Sequence, residues 1–307
     1  METVLALMPK KIKEILRTLP AVLADHMEEI RIRIGRPLEI AIAGEPRFLP
    51  CIVDSEDAAQ LLSHLSQFSL YTLEEELKRG YITIAGGHRV GLAGKVILEN
   101  GAVKAIRDIS SFNIRIARQK IGAADSIIPH IYTADYHHTL IVGAPQTGKT
   151  TMLRDIARFI SSGSKDGKIT ARKVGVVDER SEIAGCVYGI PQLTFGPRID
   201  VLDSCPKAEG MMMLIRSMSP EVLVADEIGR IEDAAAVMEA VNAGIKLIIS
   251  VHGHSVDDVK NRPNLAALFQ QRVFERFIVM KLDNSYGRSF QILNQNGDRV
   301  MEEAGVT

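Results

Sequence analysis

One run of eight residues carries the strongest chemical signal in the chain. Gly143-Ala144-Pro145-Gln146-Thr147-Gly148-Lys149-Thr150 fits the spacing G-x-x-x-x-G-K-[ST]. Its glycines let backbone N–H groups converge on one phosphate, and the helix that follows, entered through Thr151, adds the positive end of its dipole. Lys149 suits the β- and γ-phosphates, and the Thr150 hydroxyl suits Mg²⁺. The spacing therefore predicts a site for ATP and Mg²⁺.

Three more strand ends supply candidate groups. Val222-Leu-Val-Ala-Asp226-Glu227 is an apolar run that stops on two acids. A buried parallel strand ending in carboxylates delivers them to the C-terminal edge of its sheet, where ligands of open α/β sheets bind. Asp226 is then suited to the Mg²⁺ water shell and Glu227 to orienting a water. The competing reading is a cap for the helix that follows. Lys173–Val177 runs into Asp178-Glu179-Arg180-Ser181-Glu182, and Lys246–Val251 runs into His252-Gly-His254. Asp178 and Glu179 join Glu227 as candidate catalytic acids, Glu182 is a weaker one, and His252 is a candidate γ-phosphate or interface sensor. His252 with His254, and His137 with His138, lack Cys or acidic partners at zinc-site spacing.

The elements that must position these groups alternate. Strands are predicted at Thr139–Val142, Lys173–Val177, Val222–Ala225 and Lys246–Val251, with helices near Thr150–Ser161, Lys207–Met218 and Glu232–Asn242. That order predicts a parallel sheet of βαβ units. A closing antiparallel hairpin is expected at Arg276–Leu282 and Ser289–Leu293. The first third reads differently, as mixed α/β. Lys10–Leu19 puts Ile12, Ile15, Leu16 and Leu19 on one helical face. In Glu29–Ile34, Ile30, Ile32 and Ile34 alternate with Arg31 and Arg33, and with Pro37–Ile42 they suggest a hairpin with one buried and one basic face. Ser55 can cap a helix carrying Leu61, Leu62, Leu65 and Phe68, and Thr72-Leu-Glu-Glu75 has the form of a capping box. Extended segments are expected at Tyr81–Ala85, Arg89–Leu98, Ala102–Ile106 and Ser111–Arg118. The division is predicted as 1–125 and 126–307, with a hinge-like connection over Gln119–Asp135.

Composition bounds the rest. A chain of 307 residues is long enough for two domains. The net charge of −1 gives no global field for nucleic acid, and 5% aromatic residues without Trp offer no evident stacking platform. Direct nucleic-acid binding is therefore not expected. Three cysteines without C-x-x-C spacing read as reduced thiols of a cytosolic protein. No run of about 18 apolar residues suggests a membrane span.

Together, Gly143–Thr150, Asp178–Glu182, Ser219–Arg230, Ile249–His252 and the preceding Arg216 resemble the secretion-superfamily ATPases of type II and type IV secretion and pilus motors. Four further stretches are similar to the sporulation branch of that superfamily in endospore-forming bacteria. They are Glu28–Pro37, Gly86–Gly94, Gly148–Asp155 and Val177–Glu182. The resemblance spans both halves of the chain. It departs in having Asp226-Glu227 where Gly-Glu is usual, and Thr147 where Ser or Gly is common.

The resemblance implies a RecA-like P-loop NTPase core behind a smaller N-terminal mixed α/β domain. It also implies ATP hydrolysis by a homo-hexamer with nucleotide at subunit interfaces. The motor would energise membrane proteins of a sporulation channel complex, from the mother-cell side, as a cytoplasmic protein held at the membrane by its partners. An arginine supplied across an interface would then matter, with Arg107, Arg115 and Arg118 ahead of Arg31, Arg33, Arg36 and Arg89. A nucleic-acid-stimulated RecA-like ATPase and a nucleotide-regulated assembly scaffold are the alternatives.

Overall fold

The computed structural model describes residues 1–66, 80–283 and 287–306. Phe68 and the expected capping box at Thr72–Glu75 lie outside the described residues. The chain divides into two compact units, one comprising Met1–Arg118 with Gly185–Val187, the other Gln119–Ala184 with Tyr188–Thr307.

The first unit opens with helices α1 (Glu2–Leu7), α2 (Lys10–Arg17) and α3 (Ala21–His26). Strands β1 (Met27–Arg33), β2 (Pro37–Ile42) and β3 (Glu45–Ile52) lead to α4 (Ser55–Ser66), then β4 (Tyr81–Ile84), β5 (His88–Glu99) and β6 (Ala102–Arg115). The six strands form one sheet in the order β3-β2-β1-β6-β5-β4, antiparallel throughout. Period-2 patterning fixes its inner face: Ile30 and Ile32 of β1 are buried with Ile12 and Leu16, which lie one turn apart on α2.

Two expectations change here. Ile34 is 40% exposed, because β1 ends at Arg33 and the chain has already turned. The other face of the hairpin is not bare positive charge either, since Arg31 pairs with Glu29 at 2.8 Å and Arg33 with Glu39 at 2.5 Å. The segments expected separately at Ala102–Ile106 and Ser111–Arg118 merge into one long strand that ends at Arg115. Its register with β5 shifts between Ala93 and Lys95. Gly94 at that bulge has the Arg107 carbonyl 2.6 Å from where a Cβ would sit, so the two backbones meet only through a glycine.

The second unit begins with α5 (Ile128–Ile131), β7 (Thr139–Gly143), α6 (Lys149–Ser162), β8 (Val174–Asp178) and β9 (Ile199–Asp203). It continues through α7 (Lys207–Ser217), β10 (Val222–Ala225), α8 (Ile231–Asn242), β11 (Lys246–His252), α9 (Val256–Lys260) and α10 (Ala266–Gln270). Strands β12 (Arg276–Asp283), β13 (Gly287–Asn294) and β14 (Arg299–Val306) complete it. The eight-stranded sheet runs β14-β13-β12-β7-β11-β10-β8-β9, parallel from β12 to β9 and antiparallel at β13 and β14.

Its central strands are largely apolar because both faces are covered, with Thr139 and Ser250 the polar residues inside them and Lys246, Asp178 and His252 at their ends. Ile141, Val176, Val224 and Ile248 meet Leu153 and Ile156 of α6, while Leu140, Leu223, Leu247 and Ile249 meet Leu214 of α7 and Val237 of α8. The connection expected as a hinge is built into this core. Ala124, Ile127, Ile128, Ile131 and Tyr136 are all buried with α6, and the Ala124 N–H donates to Asp155 at 2.9 Å. None of the three cysteines forms a disulfide. Among the described residues, no helix is long and apolar enough to cross a membrane.

Candidate functional site

The order of the parallel strands determines which side chains meet. Each strand ends at the same sheet edge, and β11 lies between β7, which opens into Gly143–Thr150, and β10, which ends before Asp226 and Glu227. The edge therefore collects the phosphate-type loop, the paired acids, the Asp178–Glu182 loop and His252. A cleft of about 470 Å³ opens there, lined by Pro145, Gln146, Gly148, Lys149, Thr150, Thr151, Arg180, Glu182, Glu227 and His252.

The loop geometry depends on its glycines. A Cβ on Gly143 would lie 2.6 Å from the Thr147 hydroxyl and 3.2 Å from Lys149 Cγ. Gly148 has φ +97°, in the left-handed region, and turns the chain into α6 with no side chain capping the helix N-terminus. The first N–H groups of a helix have no partner within it, so this end is open to an anion. Thr147 is buried and donates its hydroxyl to the Ala144 carbonyl at 2.8 Å, which closes the loop on itself.

Lys149 is buried at the mouth of this loop. Its ammonium donates to the Ala144 carbonyl at 3.0 Å and meets His252 Nδ1 at 3.1 Å. Burial pulls its pKa down, opposed by the charges of Asp226 and Glu227. His252 Nε2 lies 2.8 Å from Glu227 Oε1. An acceptor Nδ1 and a donor Nε2–H would satisfy both contacts, and the imidazole ring links the lysine to the acid.

Thr150 donates its hydroxyl to Asp226 Oδ2 at 2.7 Å, joining the phosphate-type loop to the acidic strand end. Ser250 of the intervening strand donates to the other oxygen of Asp226 and accepts the Glu227 N–H at 3.0 Å. Glu227 itself is in the left-handed region at φ +57° and is held on its second oxygen by Arg180 at 3.2 Å. The oxygen pair of Thr150 and Asp226, beside an uncapped helix N-terminus and a lysine, fits a divalent cation with a phosphate anion.

The other candidate acids are engaged differently. Asp178 is 2% exposed, and its carboxylate accepts the N–H groups of Glu182, Ile183 and Ala184 at 2.8–3.0 Å. Burial pushes its pKa up to about 6, against the pull of those three bonds. Glu179 pairs with Lys207 of α7. His254 is placed by its backbone, whose N–H donates to Asp258. Arg115 and Arg118 lie in the first unit, where Arg115 is 3.6 Å from Glu29 and Arg118 donates to the Met27 carbonyl at 2.9 Å.

Sequence reasoning missed Arg154, Ser250 and the use of Arg180. Arg154, buried on α6, donates to the carbonyls of Ile183 and Glu182 and so ties the Asp178 loop to the phosphate-type helix. Periodicity gave no signal for it, since its neighbours one turn away on the helix, Thr150, Thr151 and Arg158, are themselves polar. Ser250 gives none, since a small serine inside a buried strand reads as packing.

The fold and the site together define a class: a RecA-like P-loop NTPase core with a smaller mixed α/β unit. The pilus retraction motor PilT, solved with bound ADP, shares this fold at a TM-score of 0.63 and 16% identity. The match covers 93% of this chain and 82% of PilT. The ATPase DotB of Yersinia pseudotuberculosis matches at 0.62, with 16% identity over 94% of this chain and 80% of DotB. The chain belongs to the family "Sporulation stage III, protein AA", whose pattern matches residues 1–300. Stage III sporulation protein AA of Bacillus subtilis (strain 168) is 52% identical over 306 residues, covering 100% of this chain and 99% of that protein.

Proposed function

We propose that this protein binds ATP with Mg²⁺ and hydrolyses it, as a homo-hexameric motor that energises membrane proteins of a sporulation channel complex. The observation that carries the nucleotide reading is the Thr150–Asp226 contact at 2.7 Å, which sets two oxygen ligands side by side at an open helix N-terminus. The motor and its setting are supported by membership of the sporulation family and by the fold shared with PilT and DotB. The domains are proposed to divide the labour, with hydrolysis in the second and partner contact in the first.

In this reading Thr150 and Asp226 hold the cation, Asp226 partly through water. Lys149 and the N–H groups that begin α6 hold the phosphates. Bound there, Mg²⁺ would neutralise developing phosphate charge. Of the three candidate acids, Glu227 is assigned to orient and deprotonate water, because its carboxylate lines the cleft. Asp178 is committed to three backbone donors, and Glu179 to Lys207. His252 senses the terminal phosphate through Lys149 and reports to Glu227. Positioning and charge account for most of phosphoryl-transfer catalysis, so this set is sufficient in kind.

The test is steady-state ATP hydrolysis across protein concentration, with light scattering on the same samples and Lys149→Ala as control. A rate per subunit that rises alongside a hexamer-sized mass, and that Lys149→Ala abolishes with nucleotide binding, is the expected result. Equal turnover by the variant would overturn the assignment.

A further inference from the structure

The acid assigned to activate water is not free in this structure. Arg180 grips one oxygen of Glu227 at 3.2 Å and His252 the other at 2.8 Å, while His252 also meets Lys149 at 3.1 Å. A carboxylate engaged on both oxygens by a guanidinium and an imidazole has fewer lone pairs left to accept from a water. Both Arg180 and Lys149 line the cleft into which a terminal phosphate would enter.

The backbone beneath Arg180 is fixed. Asp178 takes three N–H groups of its loop, Arg154 takes two of its carbonyls, and Ser181 is held in the left-handed region at φ +53° with its hydroxyl on Asp203. The Arg180 side chain, by contrast, is 64% exposed, so it can change rotamer at little packing cost. A fixed backbone with a swinging guanidinium is suited to exchange one anion for another. A terminal phosphate carries more charge than a carboxylate and matches the planar fork of arginine with paired oxygens.

We propose that Arg180 is a ligand for the terminal phosphate of a nucleoside triphosphate, acting within its own subunit, and that its contact with Glu227 is the resting position from which that phosphate draws it. The exchange frees one oxygen of Glu227 for water only when a triphosphate is present. Arg180 thereby distinguishes triphosphate from diphosphate and unlocks the base in the same movement. This rests on the nucleotide reading above.

The experiment is equilibrium binding, by fluorescence, of ADP and of a non-hydrolysable β,γ-imido ATP analogue, each with Mg²⁺. The full-length wild type is compared with Arg180→Ala, Arg180→Lys, Glu227→Gln and the Arg180→Ala/Glu227→Gln pair. Loss of one charge-assisted contact should weaken the analogue about 10- to 100-fold in Arg180→Ala while ADP stays within about twofold, with Arg180→Lys between. Glu227→Gln should tighten the analogue, because it removes the competing carboxylate, and should do so only where Arg180 is present. Equal weakening of both nucleotides in Arg180→Ala would overturn the proposal by making Arg180 a support of its loop. Unchanged analogue binding, or tightening by Glu227→Gln without Arg180, would overturn it too. Failure of the wild type to bind either nucleotide would bring down the nucleotide reading and the Arg180 role with it, a result distinct from any effect confined to the variants.

Discussion

Ser250→Ala removes one oxygen from the centre of the site without opening a cavity that matters. Ser250 is fully buried on β11, its hydroxyl donates to Asp226, and it accepts the Glu227 N–H at 3.0 Å. The substitution orphans one donor and one charged acceptor. An unsatisfied amide costs about 1–1.5 kcal/mol and a carboxylate that loses a bond about 1.5–3 kcal/mol. Asp226 is only partly buried and keeps Thr150, so water recovers part of the second amount. About 2–3 kcal/mol of destabilisation remains, equivalent to a fall in Tm of roughly 5–10 °C for a unit of this size. The same change loosens both acids at once, since the left-handed turn at Glu227 hangs on this hydroxyl. Turnover should fall about tenfold or more, because a small displacement of an aligned base is costly. Thermal melts and steady-state ATP hydrolysis on the same preparation check both parts, with Ser250→Thr, which restores the hydroxyl, as the control. A Tm within about 1 °C of wild type together with unchanged turnover would refute the reasoning.

Two further outcomes follow from the geometry. Gly143→Ala should distort the phosphate-type loop, because its Cβ would lie 2.6 Å from the Thr147 hydroxyl; nucleotide affinity measured by fluorescence should drop, while far-UV circular dichroism stays as in wild type. In the first unit, His88 is 5% exposed, accepts the Ala117 N–H on Nδ1 and meets Thr3 on Nε2, and burial pulls its pKa down to about 4. The unfolded chain takes up a proton near pH 6.5 that the folded state refuses, so stability is present above that pH and lost as pH falls towards 4. Allowing for solvent screening, the loss is on the order of 2 kcal/mol. Urea midpoints from pH 7.5 to 4 should decline in this window for wild type and decline less for His88→Gln; parallel curves would count against His88.

Much of the second unit was legible because its central parallel strands are buried on both faces and read as largely apolar runs. Val222–Ala225 was placed to the residue. The ends of β8 and β11 moved outward by one residue, since Asp178 and His252 continue the ladder despite their polarity. Edge strands were harder. The half-buried β9, Ile-Asp-Val-Leu-Asp, mixes acid and apolar residues without keeping a period of two, and β3 and β14 carry charges on exposed positions. The same limit hid the hinge-like segment's true place: Ile127, Ile128 and Ile131 are apolar at helical spacing, but a helix of four residues is too short for periodicity to announce.

For the site, local sequence determined what one strand–loop–helix unit can hold. Gly143–Thr150 needs no distant partner to form a phosphate-type loop, because glycine conformation and the helix N-terminus are local properties. The acids at Asp226 and Glu227, and His252, were likewise marked by strands ending on polar groups. Which acid faces the cleft was decided only by the tertiary structure. Asp178 and Glu227 are both carboxylates at the C-terminal end of an apolar strand, Asp178 as the last residue of β8 and Glu227 two residues past β10. The loop that follows β8 folds back to give Asp178 three N–H donors, whereas Glu227 is turned by Ser250 on a strand 23 residues away in sequence. Arg154, Arg180 and Ser250 owe their roles to the strand order β7-β11-β10-β8, a non-local pairing that no window of sequence contains.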